Sequence, residues 1–77
     1  MNKLPVVSGK EFLRLLLKYG CVLESVRGSH FKITNPSNGM WTIIPIHGNK
    51  DLSRGFTLNV LKNQLSIDVD KFVETMF

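Results

Sequence analysis

Two short turn signals separating three runs of β-forming residues constrain this chain more than any other feature. Gly28-Ser29 divides residues 21–27 from 30–34, and Asn35-Pro36-Ser37-Asn38-Gly39 divides the second run from 41–46. Connections this short leave no room for a crossover, so consecutive strands pair antiparallel as a three-stranded meander. Within the second run, Phe31 and Ile33 alternate with His30, Lys32 and Thr34. Period two sends the apolar pair to a core and the polar set to the opposite face or its rim; a slip of one residue would reverse this. Pro45 has no N–H to donate, so the third strand is an edge at that point or its pairing ends there.

Helices flank the meander. Ser8-Gly9-Lys10-Glu11 has the spacing of a capping box, in which Ser8 accepts from the backbone near Glu11 while Glu11 reaches back. The spacing predicts a helix over 9–19, with Phe12, Leu13, Leu16, Leu17 and Tyr19 on the apolar side, Leu15 at its margin, and Gly20 as the stop. Lys10, Arg14 and Lys18 recur on the other side. Residues 47–55 read as a polar, glycine-bearing loop, after which Thr57 is expected to cap a helix carrying Leu58, Leu61 and Leu65. Asp68 is expected to cap a last short helix with Val69, Phe72, Val73 and Met76 inward. The fold class is α+β, in the order α-β-β-β-α-α, with helices on one face of an antiparallel sheet.

Seventy-seven residues with 43% hydrophobic content suit one small domain over 1–77 and exclude disorder. The single cysteine, Cys21, excludes an internal disulfide and reads as a core residue. The net charge of +4 favours nucleic acid or an acidic protein as partner. No apolar run approaches the ~20 residues that span a bilayer, and MNKLPVVSGKEF has no apolar stretch of a signal peptide. A cytoplasmic protein without a membrane partner is expected.

Little in the chain can do chemistry. His30 stands at the start of an alternating strand, aimed at solvent beside Lys32, which suits a proton-transfer group acting on a polyanion; the plainer reading is a solvated surface histidine. His47 is open to three readings: a second acid/base group, a phosphate contact, or a donor that fixes its loop. Two histidines with Asp51 or Glu24 lack the spacing of a metal site, so no metal is expected. No glycine-rich phosphate loop is present, and no cofactor is expected. Lys10, Arg14 and Lys18 on the first helix, and Lys50 and Arg54 in the loop, extended by Lys62, are candidate phosphate contacts, as opposed to merely solvated faces.

The element order resembles the double-stranded-RNA-binding fold, α-β-β-β-α, with an extra C-terminal helix. More specifically, four stretches in order resemble the HicA toxin family: Ser8-Gly9-Lys10-Glu11, Arg27-Gly28-Ser29-His30-Phe31, the run from Ile44 to Leu52, and Gly55 with Thr57-Leu58. The likeness spans about Ser8 to Phe72. Phe56 departs from the family's direct Gly-Thr and is expected to lengthen the loop by one residue. The resemblance implies a toxin that cleaves mRNA with little sequence preference and is neutralised by a HicB-like antitoxin covering the catalytic histidine; since no metal site is expected, cleavage is expected to be metal-independent. The catalytic role falls on His30. Ser29, Lys32 and His47 are its candidate supports, and Arg27 and Lys32 join the candidate RNA-binding residues. RNA supplies its own 2′-hydroxyl nucleophile, so cleavage needs only proton transfer and charge stabilisation, for which an imidazole of ordinary pKa about 6.5 is suited. The alternative is a non-catalytic double-stranded-RNA-binding module on the same fold.

Overall fold

The computed structural model describes residues 4–77; the first three residues of the N-terminal stretch read above lie outside them. Helix α1 spans Gly9–Tyr19, strands β1, β2 and β3 span Val22–Arg27, His30–Thr34 and Trp41–Pro45, helix α2 spans Arg54–Asn59 and continues as a π-helical segment Val60–Gln64, and helix α3 spans Val69–Met76. The strands form one antiparallel sheet in the order β1-β2-β3, so the expected meander and α+β layout are what the chain adopts.

Local chemistry explains the boundaries. Ser8 Oγ accepts the Glu11 N–H at 3.1 Å and opens α1. The reciprocal half of the capping box is not made: the Glu11 carboxylate takes the Arg14 guanidinium instead, at 2.9 and 2.6 Å. Those hydrogen bonds and the adjacent positive charge hold the Glu11 carboxyl below its usual range. At the other end Gly20 takes φ 119°, and the N–H groups of Gly20 and Cys21 reach back to Leu17 and Leu16, closing a Schellman motif.

One buried cluster fills the space between sheet and helices. Ile33 and Ile44 from the sheet meet Phe12, Leu15 and Leu16 of α1, Val60 and Leu61 of the π-helical segment, then Leu65 and Phe72. Leu15 is thus fully in the core rather than at its margin, whereas Leu17 is exposed. α1 and α3 join through aromatic edges: Phe72 lies 6.4 Å from Phe12 and 5.1 Å from Tyr19 between ring centroids.

The second helix departs from expectation. Its cap is Ser53, whose Oγ accepts the Phe56 N–H at 3.1 Å, so the helix begins at Arg54. Thr57 is buried inside the helix, and its hydroxyl donates to the Arg54 carbonyl at 3.1 Å. Phe56 therefore extends the helix instead of the loop, and its half-buried ring packs against the core. The helix widens where the Leu65 N–H reaches the Val60 carbonyl, five residues back, at 2.8 Å.

Candidate nucleic-acid interface

The β1–β2 hairpin presents His30. Arg27 and His30 face each other across a two-residue turn, and Gly28 adopts φ 59° at its first central position, as a type II′ turn requires. The pairing of β2 with β3 then fixes the faces. Phe31 opposes Ile44 and Ile33 opposes Thr42 on the core side, while His30 opposes Pro45, Lys32 opposes Ile43 and Thr34 opposes Trp41 on the other. On β1 a bulge between Leu23 and Ser25 restores the phase, so Ser25 pairs with Lys32 and Val22 with Thr34. Among the described residues no helix covers this open face.

Ser25, Arg27, His30, Lys32 and Ile43 line a shallow depression of about 330 Å³ there. Arg27, His30 and Lys32 bring potential positive charge, and none of the paired strand positions on this face is Asp or Glu. The Lys32 ammonium sits 4.6 Å from the centroid of the Trp41 ring, a cation–π contact. His30 makes no side-chain hydrogen bond among the described residues, which leaves both ring nitrogens available.

His47 lies beyond the end of β3, at the same end of the molecule. The Ile46 N–H bonds the Ser29 carbonyl at 2.8 Å, tying the two segments together beside His30. Gly48 takes φ 55° in a turn closed by the Lys50 N–H on the His47 carbonyl. The loop is strapped to the start of α1: Gly9 donates to the Lys50 carbonyl at 3.2 Å, and Ser8 bridges Asp51. Lys10 in the first turn of α1 and Lys50 therefore share the His30 end.

The remaining candidate cations have other positions or other partners. α1 packs on the core side of the sheet, so the outward side carrying Arg14 and Lys18 points away from the open face. Arg14 is engaged with Glu11, and Arg54 Nε donates to the Leu4 carbonyl at 2.8 Å. Lys62 lines a separate groove between the second and third helices. Among the described residues no three His, Cys, Asp or Glu side chains gather as a metal site would need, and no helix is long and apolar enough to cross a membrane.

Sequence reasoning missed Trp41, Ile43 and Ser25 as parts of this face. The alternation Trp41, Ile43, Pro45 against Thr42, Ile44 carries the signal, but only once Thr34 is known to pair with Trp41.

Fold and site together define the class: a small α+β domain whose three-stranded sheet leaves a basic, histidine-bearing face open. Comparison with known families narrows it: residues 9–64 match the family described as the HicA toxin of bacterial toxin-antitoxin. A curated relative from Pseudomonas fluorescens (strain Pf0-1), named "Probable mRNA interferase HicA", is 36% identical over 52 residues, covering 68% of this chain and 83% of its own length. No solved structure matches. The chain belongs to the HicA toxin family.

Proposed function

We propose that this chain is an endoribonuclease toxin that cleaves mRNA without a metal, with His30 as its general acid/base. The observation that carries the reading is the His30 imidazole on an open, basic sheet face, flanked by Arg27 and Lys32 around one depression. The name of the Pseudomonas relative, an mRNA interferase, supports the substrate class. In the reaction the 2′-oxygen bonds to the adjacent phosphorus as the bond to the 5′-oxygen breaks. A base removes the 2′-hydroxyl proton, and an acid gives one to the leaving 5′-oxygen. His30 performs one of these transfers or both in turn. His47, at the same end of the molecule, is the candidate for the other, and Ser29 helps orient the phosphate or imidazole. Arg27 and Lys32 stabilise the charge that builds on the phosphoryl oxygens. Lys10 and Lys50 hold flanking phosphates.

The toxin works in the cytoplasm, as one domain, and is silenced by a HicB-type antitoxin that covers His30. The exposed apolar side chains Val22, Trp41 and Ile43 beside the cations suit such a cover.

Cleavage of labelled RNA in EDTA, wild type against His30→Ala, tests the proposal. Loss of about 10²–10⁴-fold in the variant is expected. Full activity of His30→Ala would sink the catalytic role and favour a non-catalytic RNA-binding module. Loss of wild-type activity in EDTA would overturn metal independence.

A further inference from the structure

Trp41 is the only tryptophan of the chain and is 54% exposed. A large, flat aromatic left in water on a sheet face forgoes the burial that normally accounts for its presence. Its surroundings restrict what can cover it. Trp41 stands opposite Thr34 on the face that carries His30, and the four-residue rise from His30 to Thr34 puts it roughly 13 Å along the strand direction from the imidazole. Lys32 lies between them on the same face, with its ammonium over the indole. The row of imidazole, ammonium and indole offers cations for phosphates and an aromatic face for a base, the two groups that a single nucleic-acid strand presents. Sheet-borne aromatics that stack unpaired bases beside cations are a common solution to binding RNA.

We propose that Trp41 is a base-stacking platform for single-stranded RNA, taking an unpaired base of the strand whose phosphate lies at His30. The inference rests on the ribonuclease reading above and adds a substrate subsite to it. In the free protein the Lys32 ammonium rests on the indole; when a base stacks there, the ammonium turns to a neighbouring phosphate. Stacking is tolerant of sequence because every base has a π-face, so the platform strengthens binding without dictating one recognition sequence. It also favours single strands, since a paired base cannot leave its duplex without the cost of unstacking.

A single-stranded oligonucleotide with 2′-O-methyl groups throughout has no free 2′-hydroxyl and cannot be cleaved by the proposed route, so binding is read independently of catalysis. Titrating it into the wild type should quench the emission of the lone tryptophan, a signal that depends on no variant's folding. By fluorescence anisotropy, Trp41→Thr, which keeps a β-forming residue, should bind roughly tenfold more weakly, and Trp41→Tyr should recover much of the loss. Unchanged emission and equal affinity in Trp41→Thr, with RNA cleavage still dependent on His30, would overturn the platform and leave the ribonuclease intact. No binding by any form, together with no cleavage, would overturn both. Emission that responds to the antitoxin alone would overturn the platform and assign Trp41 to a protein interface.

Discussion

The buried side-chain amide of Asn35 donates to the main-chain carbonyl of Leu65, thirty positions further along the chain, at 2.8 Å. Asn38 donates to the same oxygen at 3.0 Å, so the loop between β2 and β3 caps the end of the π-helical segment. Asn35 Oδ1 also accepts the Ser37 N–H, which shapes the loop that does the capping. Either asparagine alone can keep the carbonyl satisfied. Asn35→Ala should therefore cost about 1–2 kcal/mol and Asn38→Ala less, whereas the double variant should cost more than their sum, because a buried acceptor is then left bare. Urea denaturation of the four proteins measures the coupling.

Gly9 sets how closely α1 approaches the end of β3. A Cβ at this position would meet Ile46 Cγ1 at 3.1 Å and the Ile46 Cα at 3.4 Å. The Gly9 N–H also holds the Lys50 carbonyl, so pushing the two apart disturbs the loop that bears His47. Gly9→Val should lose about 1–3 kcal/mol by overpacking. Its RNA cleavage should fall further than that of a variant matched for stability but altered elsewhere in the core; equal losses would separate the loop from the chemistry.

Phe72 joins α3 to both Phe12 and Tyr19 and has no exposed surface. A domain of 77 residues has a total stability of about 4–12 kcal/mol. Phe72→Ala should remove about 3–5 kcal/mol of it. A thermal melt should show a large drop in Tm or no cooperative transition.

Cys21 is buried at the junction of α1 and β1, and burial pushes its thiol pKa upward. The unfolded chain ionises near the ordinary value of about 8.5 while the folded chain keeps its proton. Stability should accordingly be unaffected by this group below about pH 8 and decline as pH rises from about 8.5 towards the folded pKa. Cys21→Ala should flatten that alkaline limb in a pH series of melts. Under native conditions a thiol reagent should label Cys21 only as fast as the protein opens, a rate that urea raises.

The separation of cations by the sheet predicts unequal roles. Arg27→Ala and Lys32→Ala, at the depression around His30, should each lower cleavage roughly tenfold and reduce its salt dependence. Lys18→Ala and Lys62→Ala, away from that face, should stay within about twofold. Gel assays at several salt concentrations distinguish the two groups.

Much of this architecture was legible because its signals are local. Ser8, Gly20, Gly28 and Asp68 act within a few residues of themselves, so their types and spacing announced a cap, a helix stop, a hairpin and a second cap, and the structure has all four. The cap at Ser53 was hidden because Thr57, also a good cap residue, follows it; burial of Thr57 against the core made it a helix-interior residue instead. Glu11 had two possible partners at helical reach, and the backbone N–H lost to the Arg14 guanidinium, which offers two charge-assisted bonds.

By itself, then, the sequence determined the meander and its helices, since short turns and helical spacing leave few alternatives, while the side His30 takes was settled by the strand register. Only the tertiary structure decided what surrounds that histidine. Trp41 joins its face through a cross-strand register, Arg14 and Arg54 are occupied by partners, and the thickness of the sheet divides the basic residues between two sides. Those outcomes depend on contacts between distant segments, whose geometry exists only when the core has closed.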